Sequence, residues 1–482
     1  MFGRVVDIKV SPWSPPAGVH DLGDLFAPLR QRPYAMLLLS GGDLDCAGHS
    51  LMGWDPFLVF KARGRRVVLE GQGVTRVYRG DPLVVLEDLL GALSLSGQTP
   101  VSPFAGGAMG FLAYDLKNQL ERLPQTAADD LGLPEMVLAF PRRVLVHDRR
   151  AGTFQEVQVL YEDQAGRRSS GAGEVLPHLS GPLGSYRVGP LASNFSREEY
   201  LAVIRRIREY IVNGDVYQVN LAQRFSFPFQ GEPYALFRRL FQLNPAPFYA
   251  YLQCGDFQVL STSMERFLYR RGDYLETRPI KGTRPRGATP EEDAALRREL
   301  ADSPKDDAEL SMIVDLLRND LGKVCSARSV KVAEHKRLEA YQNVYHLVSI
   351  VTGQLRPTAS HADILRATFP GGSITGCPKI RAMEIIDELE PHVRHVYCGA
   401  MGYLGLHGNM DLNVAIRTAI FSKGRAHFAV GGGIVYDSRE EEEYEETLHK
   451  GRTLFKILQG EGRGKARPPG APDRAAARRQ GP

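Results

Sequence analysis

The stretch Pro279-Ile280-Lys281-Gly282-Thr283-Arg284-Pro285-Arg286-Gly287 places one lysine between Arg278 and Arg284, in a segment too rich in proline and glycine for a helix. Strand-type residues precede it from Tyr269 to Glu276. Thr289-Pro290-Glu291-Glu292 follows as a helix start, with Thr289 as cap and Pro290 in the first turn. This predicts a lysine fixed on a rigid loop or strand end. Only an unprotonated amine is a nucleophile, and neighbouring cations or burial favour that form. Taken alone, the segment also reads as a turn with solvated charges.

Carboxylates form a second set. Glu443, Glu446 and Lys450 are spaced three and four apart and share one helical face, while Tyr444, Leu448, Phe455 and Leu458 fall on another. The run from Glu440 to Glu446 also reads as a solvated acidic stretch. Against that, a strand and a glycine turn, Gly431-Gly432-Gly433, lead directly into it, and the amides of such a turn can bind an anion. Glu309 interrupts an apolar stripe continued by Met312, Ile313 and Leu316. A carboxylate there needs Arg318, another arginine, or a metal shared with Glu446. Carboxylates with no nearby His–Cys set suit Mg²⁺, which keeps waters and bridges to an anionic substrate.

Anion receptors make a third set. Gly371-Gly372-Ser373-Ile374-Thr375-Gly376 precedes a helix with Pro378 in its first turn, a helix N-terminus suited to an anion. Gly371 and Gly376 have P-loop spacing, but Cys377-Pro378 stands where Lys-Ser/Thr is required, so the Walker reading fails. Arg417, in a strand expected from Leu412 to Thr418, could take a carboxylate with two nitrogens. His346 lies in Tyr345-His346-Leu347-Val348, and a lone histidine is more often structural than catalytic. One amine, carboxylates for Mg²⁺ and several anion receptors suit a small dianionic substrate.

The 482 residues exceed one small core and imply two domains or one large composite. Residues 1–162 alternate short apolar runs with turn signals and read as a largely β domain. Residues 163–193 are polar and rich in Gly, Ser and Pro and read as a linker. Residues 194–460 mix helices and strands, beginning with the capping box Ser196-Arg197-Glu198-Glu199. Residues 461–482 form a basic tail expected to be disordered. It holds six basic and two acidic residues and so carries the whole net charge of +4. The body therefore lacks a nucleic-acid footprint. Scattered cysteines, an N-terminus without an apolar signal core and the lack of a bilayer-length apolar run predict a cytoplasmic protein with reduced thiols.

Five longer motifs carry a resemblance: Gly214-Asp215-Val216-Tyr217-Gln218-Val219-Asn220, the Lys281 segment, Met312-Ile313-Val314-Asp315-Leu316-Leu317-Arg318-Asn319-Asp320, Phe369-Pro370-Gly371-Gly372-Ser373 and Gly431-Gly432-Gly433-Ile434-Val435. From Leu37 to Gly460 the chain resembles the chorismate-utilising enzymes, and within them the aminodeoxychorismate synthase branch. The resemblance implies an α+β fold, with large antiparallel sheets in a sandwich, helices outside and the active site between the halves. It implies Glu309 and Glu446 as Mg²⁺ ligands, supported by Glu443. It implies Arg417, Tyr397, Thr375, Lys450 and the amides of Gly431, Gly432 and Gly433 as contacts to chorismate. Glu265 and His346 match catalytic positions, Glu265 being the better acid. Lys281 discriminates, because anthranilate synthases usually carry Ala there. In the resembling branch the lysine attacks ring carbon 2, the carbon 4 hydroxyl leaves, and ammonia displaces the lysine. The product feeds para-aminobenzoate and folate synthesis.

The alternatives within the resemblance are anthranilate synthase component I and isochorismate synthase. Gly214 to Asn220 argues for an amine-using branch. Met264, Cys377 and Leu39-Ser40-Gly41 depart from family patterns, and the last stands where feedback-regulated anthranilate synthases carry a Leu-Glu-Ser segment, so the resemblance leaves tryptophan regulation open. No glutaminase segment is visible, so ammonia is expected from a separate glutamine amidotransferase subunit or from solution.

Overall fold

A computed structural model describes residues 3–19, 21–94, 102–164, 166–169 and 183–460 of the chain. The long strands follow from β-branched and aromatic runs that bury one or both faces. His49–Arg63 pairs antiparallel with Met136–Asp148, and that strand pairs with Thr153–Asp163. Gln218–Gly231 pairs antiparallel with Arg425–Ile434. Strands from the first third also pair directly with strands from the second half. Met36–Leu39 lies against Phe248–Gln253, and Gly107–Leu112 against Ala400–Gly405. The glycine-rich character of Gly107–Leu112 is explained there: a β-carbon at Gly110 would collide with the Val137 carbonyl.

Two apolar clusters lie on the sheet faces. One gathers Phe57, Phe111, Phe140, Tyr161, Leu347 and Ile386. The other gathers Trp54, Phe225, Phe229, Tyr234, Tyr249 and Tyr251. Helices cover the outside. Arg197–Val212 starts with the expected capping box of Ser196 and Glu199 and ends before Gly214, at φ +81°. It buries Leu201, Ile204 and Ile207 and sets Tyr200 against Tyr444 of Glu440–Gly460, with ring centroids 5.7 Å apart. Pro304–Gly322 buries Leu310, Ile313, Val314 and Leu317. Among the described residues no helix is long and apolar enough to cross a membrane. The architecture is α+β, an extensive antiparallel sheet with helices outside, as expected.

Several boundaries differ from the sequence reading. The strand expected to contain Arg417 is two strands, Met410–Val414 and Thr418–Ser422, broken where Arg417 adopts φ +52°. Gly431–Gly433 is not a turn. These residues end the strand Arg425–Ile434, opposite Ala222, Leu221 and Asn220. Pro378 caps Lys379–Leu389 rather than entering its first turn. Part of the expected linker, 170–182, and the whole tail, 461–482, lie outside the described residues. The end of the linker stretch forms Tyr186–Val188 and Ala192–Ser193, both paired with Gln218–Gly231.

Candidate active site

Lys281 lies in the strand Ile280–Pro285, paired with Val344–Gln354. The register slips between Lys281 and Thr283 because Gly282 takes φ +71°. A bulge of this kind re-aims the neighbouring side chain. The amine comes 3.8 Å from Glu309 Oε2. A β-carbon at Gly433 would stand 3.2 Å from the amine and 2.5 Å from the Gln218 amide, so a larger residue would push the end of the Gln218 side chain aside. The flanking arginines do not act on the amine as the sequence suggested. Arg278 binds Glu276 and Asp45, at 2.5 and 2.6 Å, and Arg284 binds Glu299 and Asp306, at 2.7 and 3.3 Å. Their charges are neutralised locally.

Glu309 also differs from expectation. Arg318 pairs with Asp315 at the surface, 3.0 Å away, and leaves Glu309 alone. The partners of Glu309 are Lys281 and the Gln218 amide, the latter at 3.4 Å. The buried stripe of the helix runs through Leu310, Ile313, Val314 and Leu317, so Glu309, Met312 and Leu316 lie on its half-buried flank.

Glu443 and Glu446 face the same space from the last helix. A β-carbon at Gly432 would find Glu443 Oε2 at 3.5 Å, Lys450 Nζ at 3.7 Å and Glu446 Oε1 at 3.9 Å. Glu443 is buried, accepts from the Ser438 hydroxyl at 2.6 Å and lies 3.9 Å from Lys305. Burial, with Glu446 alongside, raises its pKa. Glu446 is half-exposed at the cleft mouth, and Lys450, 2.6 Å away, lowers its pKa. Among the described residues no three His, Cys, Asp or Glu side chains close on one point. Glu309, Glu443 and Glu446 offer oxygen donors only. That donor set fits Mg²⁺, which is typically held by one or two carboxylates with the substrate completing the shell.

Glu265 lies between the strands Phe257–Ser263 and Arg266–Arg271 and is fully enclosed. Burial pushes its pKa up to about 7, although the Ser373 hydroxyl, the Lys281 amine and the Ile280 amide all favour the charged form. His346 is buried, and burial lowers its pKa to about 4, so the ring is neutral. Its Nδ1 faces Thr283 Oγ1 at 3.0 Å and the Gly282 carbonyl at 3.2 Å. A proton on Nδ1 satisfies that carbonyl and leaves Nε2 an acceptor. Nε2 is buried and has no hydrogen-bond partner among the described residues.

The receptor residues divide. Arg417 donates to the Lys450 carbonyl, and Lys450 Nζ donates to the Gly431 carbonyl at 3.0 Å. Burial lowers the Arg417 pKa, and the charge interaction with the buried Tyr397 opposes that shift. Thr375 follows the short turn Gly372–Ile374. It is fully buried and its hydroxyl donates to the Gly371 and Gly372 carbonyls at 3.0 and 3.3 Å.

The model of the chorismate binding enzymes matches residues 45–456. The chain belongs to the chorismate binding enzyme family. Within that family it is 42% identical to aminodeoxychorismate synthase component 1 of Klebsiella aerogenes, over 93% of this chain and 98% of the relative. It is 41% identical to anthranilate synthase component 1 of Thermus thermophilus, over 80% of this chain and 84% of that one. Anthranilate synthase component I from Streptococcus pneumoniae superimposes with a TM-score of 0.75 at 32% identity, covering 91% of this chain and all of that one. The Escherichia coli menaquinone-specific isochorismate synthase, at 19% identity, shares the fold with a TM-score of 0.73.

The cleft also contains groups the sequence reading did not assign. Gln218 stands between Glu309 and Gly433, and Lys305 faces Glu443 one helical turn before Glu309. The alternation of Gln218 and Asn220 with apolar residues was a readable signal for an amide-bearing strand face. Lys305 carried none, since a lysine at a helix start looks like any solvated charge.

Proposed function

We propose that this chain converts chorismate and ammonia to 4-amino-4-deoxychorismate and water. The observation that carries the reading is the Lys281 amine, turned by the Gly282 bulge into a cleft lined by Glu309, Glu443 and Glu446. The high identity to aminodeoxychorismate synthase component 1 over nearly the whole chain supports it.

Arg417, Tyr397, Lys450 and the backbone of Gly431, Gly432 and Gly433 hold the carboxylates of chorismate. Glu309 and Glu446, with Glu443 behind them, would hold Mg²⁺, which when bound supplies positive charge to the ring carboxylate. Unprotonated Lys281 attacks ring carbon 2. The double bonds shift, and the carbon 4 hydroxyl leaves as water with the proton of Glu265. Ammonia attacks carbon 4, the double bonds shift back, and Lys281 departs as the free amine. The proton lost by the incoming nitrogen restores Glu265. His346, neutral with Nε2 open, accepts a hydrogen bond from a substrate hydroxyl. The enclosure of Glu265 supports its role, because an acid near pKa 7 is half-protonated at neutral pH. A separate glutamine amidotransferase subunit supplies the ammonia, and the reaction takes place in the cytoplasm, where the five unpaired cysteines stay reduced.

Mass-spectrometric identification of the product from chorismate, Mg²⁺ and ammonium tests the reading. The expected product is 4-amino-4-deoxychorismate. Anthranilate with pyruvate would replace the proposal with the second reading, which the similarity to anthranilate synthase component 1 favours. Isochorismate would make Lys281 a base that activates water.

A further inference from the structure

The glycine-rich loop after Phe369 is held from several sides. Lys379, at the start of its helix and 13% exposed, donates to the carbonyls of Thr368 and Pro370, each at 2.9 Å. It also binds the buried Asp320 at 2.5 Å. Buried Arg394 donates to the Ile374 carbonyl at 2.9 Å and to Asn220 O at 2.6 Å, and it pairs with Glu390. Thr375 closes the loop from inside. Two cations therefore pin the loop at the Pro370 and Ile374 carbonyls and the helix end before it at Thr368, and Ser373 is the loop side chain that leaves it toward the reaction centre. Its hydroxyl donates to Glu265 Oε1 at 2.5 Å.

From this geometry we infer that Ser373 is a positioning residue for the proton donor: it holds the Glu265 carboxyl in place and stabilises the carboxylate left after the proton departs. Lys379 and Arg394 fix the loop that presents it. The inference rests on the reading of Glu265 as the acid. Other groups face Glu265. Lys281 is the cation, and the Ile280 amide is a fixed donor. Tyr341 and Cys398 also lie close, and burial raises both pKa values, that of Cys398 to about 12, so both stay neutral through the working range. Of these groups Ser373 is the one whose side-chain hydroxyl donates to the Glu265 carboxyl, and alanine removes that donor by deleting one oxygen.

Removing that oxygen favours protonated Glu265, so the alkaline limb of the rate profile moves to higher pH. The test measures kcat/KM for chorismate consumption against pH, with free ammonia held constant, for wild type, Ser373→Ala and Ser373→Thr. The expected result for Ser373→Ala is a limb shifted up by about one pH unit and a rate at neutral pH about 10-fold lower. Ser373→Thr should restore both. In a Glu265→Gln background, Ser373→Ala should cost nothing further, because residues acting through one group are not additive. An unmoved limb, additive losses in that background, or no rescue by threonine overturns the inference. If the alanine variant does not fold, Ser373→Cys, of similar shape with a weaker donor, is held to the same criteria. Product identity is read in the same reactions. A product other than 4-amino-4-deoxychorismate defeats the proposed function, while the limb shift still reports on the Ser373–Glu265 hydrogen bond.

Discussion

Lys281 differs from a base in one respect: a nucleophile stays bonded to the ring when ammonia is withheld. Incubation with chorismate and Mg²⁺ alone should leave a mass on the protein equal to chorismate less water. Lys281→Ala should lose both the adduct and the 4-amino product while still binding chorismate. A wild-type chain with no adduct, under conditions that trap one in a control enzyme, contradicts the nucleophile role. Glu265 makes a second prediction, about stability. Its pKa is about 7 in the fold against 4.5 for a solvated glutamate. Above the higher value the folded chain carries a buried charge that the unfolded chain keeps in water. Between the two values folding stability falls with rising pH, by on the order of 3 kcal/mol from this group. Glu265→Gln removes that loss. Its unfolding free energy should exceed that of wild type in mildly alkaline buffer, with the difference fading in mild acid, while ammonium-dependent turnover falls about 100-fold or more. Urea titrations in the two buffers check it. Equal stability in both would show that Glu265 ionises without penalty.

At the scale of elements, the cleft is made where strand ends and a helix meet, and two adjacent glycines test it. A β-carbon at Gly433 would push on the end of the Gln218 side chain and stand close to Lys281, whereas one at Gly432 would make only ordinary contact with Glu443, Lys450 and Glu446. Gly433→Ala should displace the amine and cut kcat by about 10-fold or more with the fold intact. Gly432→Ala should act mainly on KM. Comparable effects from both would mean that the glycines matter only for the strand. The last helix gives another test. Glu446→Gln should raise the Mg²⁺ concentration needed for half-maximal activity, and full activity in excess chelator would remove the metal from the reading. The helix and its two glutamates were legible in the sequence, because spacings of three and four survive any packing. Lys281 was legible as a fixed amine, and the fold class as antiparallel and α+β. What was not legible depended on tertiary pairing. Arg278 and Arg284 look like neighbours of the amine along the chain, but Asp45, Glu276, Glu299 and Asp306 take their charge. Arg417 sits in an apolar, β-branched run that propensity reads as one strand, and its left-handed backbone breaks that strand. Three consecutive glycines suggested a turn, but they continue a strand, where Gly433 lies close against the Gln218 side chain.

For the whole molecule, the purified chain should turn over chorismate with ammonium and not with glutamine, and an added amidotransferase subunit should confer glutamine use. Turnover with glutamine by the chain alone, read by glutamate release, contradicts this. The pairing of Met36–Leu39 with Phe248–Gln253, and of Gly107–Leu112 with Ala400–Gly405, has a consequence for biosynthesis. Translation runs from the N-terminus, so both early strands emerge long before their partners exist. Until then their open edges and apolar faces are exposed to other nascent chains. Closing such distant pairs costs loop entropy before any contact repays it, which slows folding. A ribosome stalled near the middle of this message therefore holds a sticky, half-built sheet rather than a finished first domain, and the cell must protect it until the second half arrives.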